Sequence, residues 1–184
     1  STDYIFDGKK TSKYKINDIP NPINTYGKSK FFGEQNILNS GCNYFIIRIS
    51  WLMSEYGNNF LKKIIQKIIN DEDLFVVNDQ IGTPISTNLV TKITCELLSL
   101  YPLDNPKKIF HLSTKGSSSW YDIAVYIFKK IALPNRKFKI HSIQSDNIKS
   151  EVKRPKNSLF DHSEIEKILK TKLPSWQDDL NNII

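Results

Sequence analysis

Apolar residues in this chain fall into short, dense groups separated by polar and turn-forming stretches. Tyr44-Phe45-Ile46-Ile47 is continuous, which predicts a buried parallel strand over 43–50. Phe60, Leu61, Ile64, Ile65, Ile68 and Ile69 recur at the period of an amphipathic helix over 59–70. Residues 74–77 predict a short strand, and 78–84 a turn-rich segment. A helix capped by Thr87 and running to about Leu100 comes next, then a strand over 108–112, read as the last of the sheet. Ser119-x-x-Asp122 and Ser163-x-x-Glu166 have the spacing of capping boxes. The first opens a helix to Ala132. Residues 137–143 fit another strand, and a final helix starts near Trp176. Strands alternating with helices predict an α/β fold.

The first forty residues follow a different pattern. Residues 1–6 read as a strand end running into a loop, the place where open α/β sheets bind ligands. Residues 9–20 form a polar loop, and Pro20-Asn21-Pro22 delays helix formation. A helix then spans about 24–40 and stops at Gly41. Gly27 and Gly33 inside it each cost about 1 kcal/mol relative to Ala, which suggests close backbone approach, with loose packing as the alternative. Glu34 lies one turn beyond Lys30 and either pairs with it or sits exposed.

That helix carries the candidate chemistry. Tyr26 and Lys30 are four apart, so both side chains leave one face with Cβ atoms ~5–6 Å apart. A phenol of pKa ~10 needs a shift of ~3 units, or ~4 kcal/mol, to act near neutral pH. One positive charge ~4 Å away, at an effective dielectric of ~20, supplies about that much. The pair can then serve as a general acid for a substrate oxygen. Spacing alone is weak: Tyr126 and Lys130 repeat it within an apolar helix, where a buried Tyr is the ordinary expectation.

Composition narrows the classes. The 184 residues are 39% hydrophobic and 24% charged, within the range of one ordinary soluble domain with room for a small second lobe. Neither a run of ~18 apolar residues nor a basic-then-apolar leader pattern is present, so no membrane partner is expected. The net charge of +7 raises nucleic acid as a partner. Only Arg48, Arg136 and Arg154 offer the guanidinium fork that reads phosphates, and the Lys are dispersed, so nucleic acid is not expected. A mild positive field still favours an anionic ligand. Cys42 and Cys95 lack a CxxC spacing and read as small core residues of a reducing, cytoplasmic compartment. His111, His141 and His162 have no metal spacing, so no metal is expected. No G-x-S-x-G supports a hydrolase.

Read together, Ser1-Thr2-Asp3-Tyr4-Ile5-Phe6-Asp7-Gly8, Asn21-Pro22, the Tyr26–Lys30 pair and Gly33-Glu34 resemble the extended short-chain dehydrogenase/reductase superfamily. Within it they look most like the dTDP-4-dehydrorhamnose reductases. The likeness continues through Arg48-Ile49-Ser50-Trp51, Gly57-Asn58-Asn59-Phe60, Asn78-Asp79-Gln80-Ile81-Gly82-Thr83-Pro84, Phe110-His111-Leu112, Ser119-Trp120-Tyr121-Asp122 and Arg154-Pro155-Lys156-Asn157-Ser158. It spans nearly the whole chain in order. One departure stands out: the family's glycine-rich turn for the cofactor pyrophosphate is absent, the seven Gly being scattered. The chain therefore reads as the C-terminal part of a Rossmann-type doubly wound parallel sheet plus a smaller α/β substrate-binding lobe. On that reading 1–71 and 85–112 belong to the sheet, and 72–84 and 113–184 to the lobe. An unpaired sheet edge, and neither tight dinucleotide binding nor turnover by 1–184 alone, are expected.

The resemblance implies a role for each matching residue. Tyr26 donates the proton. Lys30 tunes Tyr26, and the two together hold the ribose of NADPH or NADH. Thr2, with Ser1 as second choice, orients the substrate carbonyl. Asp3, Tyr4, Trp51, Gln80 and Arg154 touch a nucleotide-linked sugar, although Trp51 fits a core position equally well and Gln80 a plain loop. Related dehydratases follow Thr with Asp-Glu, a proton-transfer pair. Here Thr2 is followed by Asp3-Tyr4, which favours ketone reduction over elimination. A regulatory subunit similar to the beta subunit of methionine adenosyltransferase, and a sugar-nucleotide epimerase, remain as alternatives. The choice between monomer and homodimer stays open.

Overall fold

The computed structural model describes residues 1–101, 107–131 and 137–184. Along the chain come α1 (Thr25–Asn39), β1 (Tyr44–Ile49), β2 (Leu52–Met53), α2 (Phe60–Ile69), β3 (Leu74–Val77), β4 (Ile81–Gly82) and β5 (Ile85–Ser86). They are followed by α3 (Thr87–Leu100), β6 (Lys107–Leu112), β7 (Ser118–Ser119), α4 (Trp120–Ile131), β8 (Ile140–Ile143), α5 (Ser163–Leu169) and α6 (Trp176–Asn181). Ala132, the expected end of α4, lies outside the described residues.

Among the described residues, three of the four strand pairs are parallel. β1 runs beside β6 from Tyr44 opposite Lys107 to Ile49 opposite Leu112. Thr2 bridges to Ile49 on the same strand, also in parallel. β2 pairs with β5, and β3 with β8, while β4 and β7 are antiparallel. This is the α/β class that the hydrophobic pattern predicts. α3 lies between β5 and β6 along the chain.

Three apolar clusters hold these elements. α2 places Leu61, Ile64 and Ile68 against Leu74 and Val76 of β3 and Ile123, Ala124 and Ile127 of α4. Ile93 and Leu97 of α3 pack with Phe110 and Leu112 of β6 and Ile165 of α5. A smaller cluster of Ile5, Phe6, Tyr14 and Phe160 lies beneath the N-terminal loop.

Several local expectations change. Ser86, not Thr87, caps α3, its Oγ accepting from the Leu89 N–H at 3.0 Å. Ser86 also gives its backbone N–H and its hydroxyl to buried Asp179, at 2.6 and 2.7 Å, so the cap ties α3 to α6. The Ser119–Asp122 box forms reciprocally, at 2.8 and 3.0 Å. The Ser163–Glu166 box does not: Glu166 turns the other way and accepts from the Leu173 N–H at 2.9 Å and Lys172 at 2.8 Å. The strand expected over 137–143 is confined to β8. Cys42 and Cys95 are exposed rather than core. Cys95 sits two residues from both Ile93 and Leu97, which turns it to the outer side of α3.

Candidate active site

Thr2 begins the site. Residues Asp3–Ile5 form one turn of 3₁₀ helix, and the Thr2 hydroxyl caps it by accepting from the Tyr4 N–H at 3.3 Å. The same hydroxyl donates to Asp3 Oδ1 at 3.0 Å. Ser158 donates to the other carboxylate oxygen at 2.5 Å. Asp3 is only 4% exposed. Burial outweighs these hydrogen bonds and pushes its carboxyl up to about 6.

α1 docks against this turn through Gly27. A Cβ there would lie 2.1 Å from the Tyr4 carbonyl oxygen, so only glycine lets the helix approach this closely. Gly33, by contrast, faces open space, so the close approach expected of it is not seen. Gly27→Ala should therefore destabilise by about 1–3 kcal/mol despite its better helix propensity, and Gly33→Ala should stabilise by about 0.5–1 kcal/mol. Urea unfolding of the two variants checks this. Equal shifts would show that the Tyr4 contact does not constrain α1.

Asn24 caps the helix, accepting from the Gly27 N–H at 2.8 Å. The Tyr26 ring meets Tyr4 edge to face, centroids 5.6 Å apart. Lys30 Nζ stands 5.7 Å from the Tyr26 ring centroid. The Tyr126–Lys130 pair has nearly the same geometry, at 5.5 Å, but the Tyr126 hydroxyl donates to Asn181 Oδ1 at 2.7 Å. Tyr26 is instead 50% exposed. Burial and the Asp3 charge push the Tyr4 phenol up, while the charge of Arg154 and a hydrogen bond from it oppose them.

Beside this group opens a cleft of about 1380 Å³, lined in part by Tyr4, Gln80 and Arg154. Lys9, Lys10, Lys63, Lys67, Lys153 and Lys156 also line it, against Asp7, Asp73 and Asp146. That imbalance favours an anionic occupant. Trp51 is 9% exposed and lies behind Trp120, its ring stacked on that indole at 3.9 Å. Its backbone is left-handed, φ 46°, and its indole presses on Gly82, where a Cβ would approach to 2.7 Å. Trp120 lines the cleft and donates its Nε1–H to Gln80 Oε1 at 3.2 Å. Trp120 is not among the residues expected to touch a ligand, although its tetrapeptide is one of those that carry the family resemblance. Glu34 neither pairs with Lys30 nor lies exposed: it is buried against Arg48 at 2.7 Å.

Thr2, Asp3, Tyr4, Tyr26 and Lys30 thus form one group, and Gln80 and Arg154 reach it through the cleft. Among the described residues no cluster of His, Cys, Asp or Glu is arranged to hold a metal ion. No described helix is long and apolar enough to cross a membrane.

The sequence profile of the RmlD substrate binding domain family matches residues 1–184, the whole chain. The chain belongs to the RmlD substrate binding domain family. A dTDP-4-dehydrorhamnose reductase of Sinorhizobium fredii is 35% identical over 100% of this chain. Among solved structures, the dTDP-4-dehydrorhamnose reductase of Bacillus anthracis in complex with NADP superposes with TM-score 0.88 at 35% identity, over all of this chain and 63% of that one. The Clostridium acetobutylicum dTDP-4-dehydrorhamnose reductase superposes at 0.86 with 32% identity, covering 100% of this chain and 62% of its own. This RmlD substrate binding domain spans 64% of the length of the Sinorhizobium relative. Its parallel-stranded α/β architecture is the Rossmann-like fold of those structures.

Proposed function

We propose that this chain is the proton-donating and sugar-binding part of an NAD(P)H-dependent reductase acting on the C4 ketone of a nucleotide-linked deoxysugar, dTDP-4-dehydro-L-rhamnose. The observation that carries this reading is an exposed Tyr26–Lys30 pair set edge-on to Tyr4, a residue that itself lines the lysine-rich cleft. Relatives named for that reduction support it. Residues 1–71 and 85–112 would form the sheet part and 72–84 and 113–184 the sugar-binding lobe.

The residues present suit one end of the cofactor. An exposed phenol and ammonium on one helix face are the donors that a nicotinamide ribose needs, so Tyr26 and Lys30 would hold it. A glycine-rich turn for the pyrophosphate is not among these 184 residues. A bound reduced nicotinamide supplies hydride to the ketone carbon.

The protein's own groups handle the oxygen. Tyr26 gives its phenolic proton to the oxygen of the forming alcohol, and Lys30 keeps a positive charge beside it. Thr2 orients the carbonyl. Its hydroxyl proton points to Asp3, so Thr2 turns to the substrate when Asp3 itself carries a proton, a state favoured by burial. Lys and Arg side chains of the cleft neutralise the diphosphate, with Tyr4, Gln80 and Arg154 along the sugar.

Incubating the full protein that carries this chain with NADPH and the 4-keto-sugar nucleotide tests the reading. Stoichiometric loss of NADPH absorbance with formation of the 4-hydroxy sugar is expected. Cofactor binding without turnover would sink it and leave the regulatory alternative.

A further inference from the structure

α1 carries Tyr26 and Lys30, yet apolar burial holds it only weakly. Of its 15 residues, Gly27 and Glu34 are the buried ones. Phe32 and Ile37 are exposed, and Phe31 packs at the edge of the smallest cluster. Gly27 sets how closely the helix approaches but offers no side chain to grip. Glu34 lies eight residues beyond Tyr26 and four beyond Lys30. It is 3% exposed and takes Arg48 Nε at 3.0 Å and Arg48 Nη2 at 2.7 Å on its two oxygens. Arg48, on β1, is equally buried. Its remaining nitrogen, Nη1, reaches the Ile16 carbonyl at 3.3 Å and His111 Nε2 on β6 at 3.2 Å. With Nε2 accepting, His111 Nδ1 donates to the Tyr14 carbonyl at 3.0 Å. One carboxylate therefore ties α1 to both strands of the β1–β6 pair.

Burying two charges costs much of what their attraction returns. What the bidentate fork adds is geometric definition. We infer that Glu34 is a positioning residue: its ion pair with Arg48 fixes the register of α1 and so sets where Tyr26 and Lys30 stand beside Thr2 and Tyr4. The catalytic consequence rests on the reductase reading above, whereas the anchoring itself does not.

Two variants of the full protein test it. Glu34→Gln leaves the Arg48 charge buried without its partner and is expected to lower global stability for that reason alone; the double variant Glu34→Leu/Arg48→Leu removes both charges and leaves a shorter apolar contact with no fixed geometry. Hydrogen exchange in 25–39 should quicken about tenfold in the double variant, with 74–77 and 120–131 unchanged. Its kcat should fall about 100-fold, the loss expected of a reacting group misplaced by about 1 Å, with KM for the keto-sugar within about twofold. Wild-type exchange in 25–39, or a uniform rise throughout the molecule, would overturn the anchor. Wild-type kcat in a double variant whose α1 has loosened would overturn the positioning role. Selective loosening in a protein whose wild type turns over no keto-sugar would support the anchor and defeat only the reductase reading.

Discussion

On the proposed reading, Tyr26→Phe should lower kcat of the full protein by about 10²–10⁴-fold, the range for loss of a positioned general acid. The change removes one hydroxyl and little else. Tyr26 is half exposed, so its loss strands no buried partner. The edge contact with Tyr4 and the approach of Lys30 both involve the ring and persist. Folding stability should therefore stay within about 0.5 kcal/mol of wild type. Tyr126→Phe is the matched control, since its lysine lies at almost the same distance. There the lost hydroxyl served Asn181, so the expected cost is about 1 kcal/mol of stability and no change in kcat. Steady-state kinetics and urea midpoints of both variants decide. Near-normal turnover by Tyr26→Phe would remove Tyr26 from the chemistry.

The second large effect concerns pH. Burial raises Asp3 to about 6 and, with the Arg48 charge, lowers His111 to about 4. Between about pH 4 and 6 folded Asp3 holds a proton that the unfolded chain has released, so its contribution to stability falls as pH rises. Over nearly the same window folded His111 is neutral while unfolded His is charged, so its contribution falls as pH drops. Each shift corresponds to about 3 kcal/mol, and the two slopes oppose one another. Asp3→Asn keeps an oxygen and an amide for the Thr2 and Ser158 hydroxyls but cannot titrate. Its stability should rise with pH more steeply than wild type, and the difference between them should change by about 3 kcal/mol from pH 4 to 7. Urea unfolding across that range measures it. Parallel curves would mean that Asp3 is not desolvated in the fold.

Elements whose signal is local were readable from the sequence. Of the six apolar positions of α2, Leu61, Ile64 and Ile68 are the buried centre, Phe60 and Ile65 pack at its edge and Ile69 is exposed. Tyr44 to Ile47 form part of the parallel strand they predict, but only Ile46 is buried and the other three are half-buried. Where two local signals compete, tertiary partners choose. Ser86 and Thr87 both suit a cap, and Asp179, far along the chain, draws Ser86 into place. Glu166 could have closed a capping box, but Lys172 and the Leu173 amide hold it instead. The candidate site divides in the same way. The Tyr26–Lys30 spacing is visible in one helix, yet Tyr126–Lys130 is equally visible, and only the neighbouring Tyr4 and Asn181 separate them. Nothing near Glu34 in sequence names Arg48 as its partner, since the pairing needs α1 laid across β1. Trp51 at a strand end suggested a ligand contact; its left-handed backbone puts it behind Trp120, which no periodicity announces.

The parallel registers also set the order in which this molecule can be assembled. Tyr44 finds its partner only in Lys107, and Leu74 only in Ile140, so the two pairings are interleaved along the chain. Closing such long loops costs entropy before any strand contact offsets it. As the chain emerges during synthesis, β1 and β3 must both wait with open edges. The cover for β1 arrives with β6, whose first residues, Lys107 and Lys108, pair with Tyr44 and Phe45.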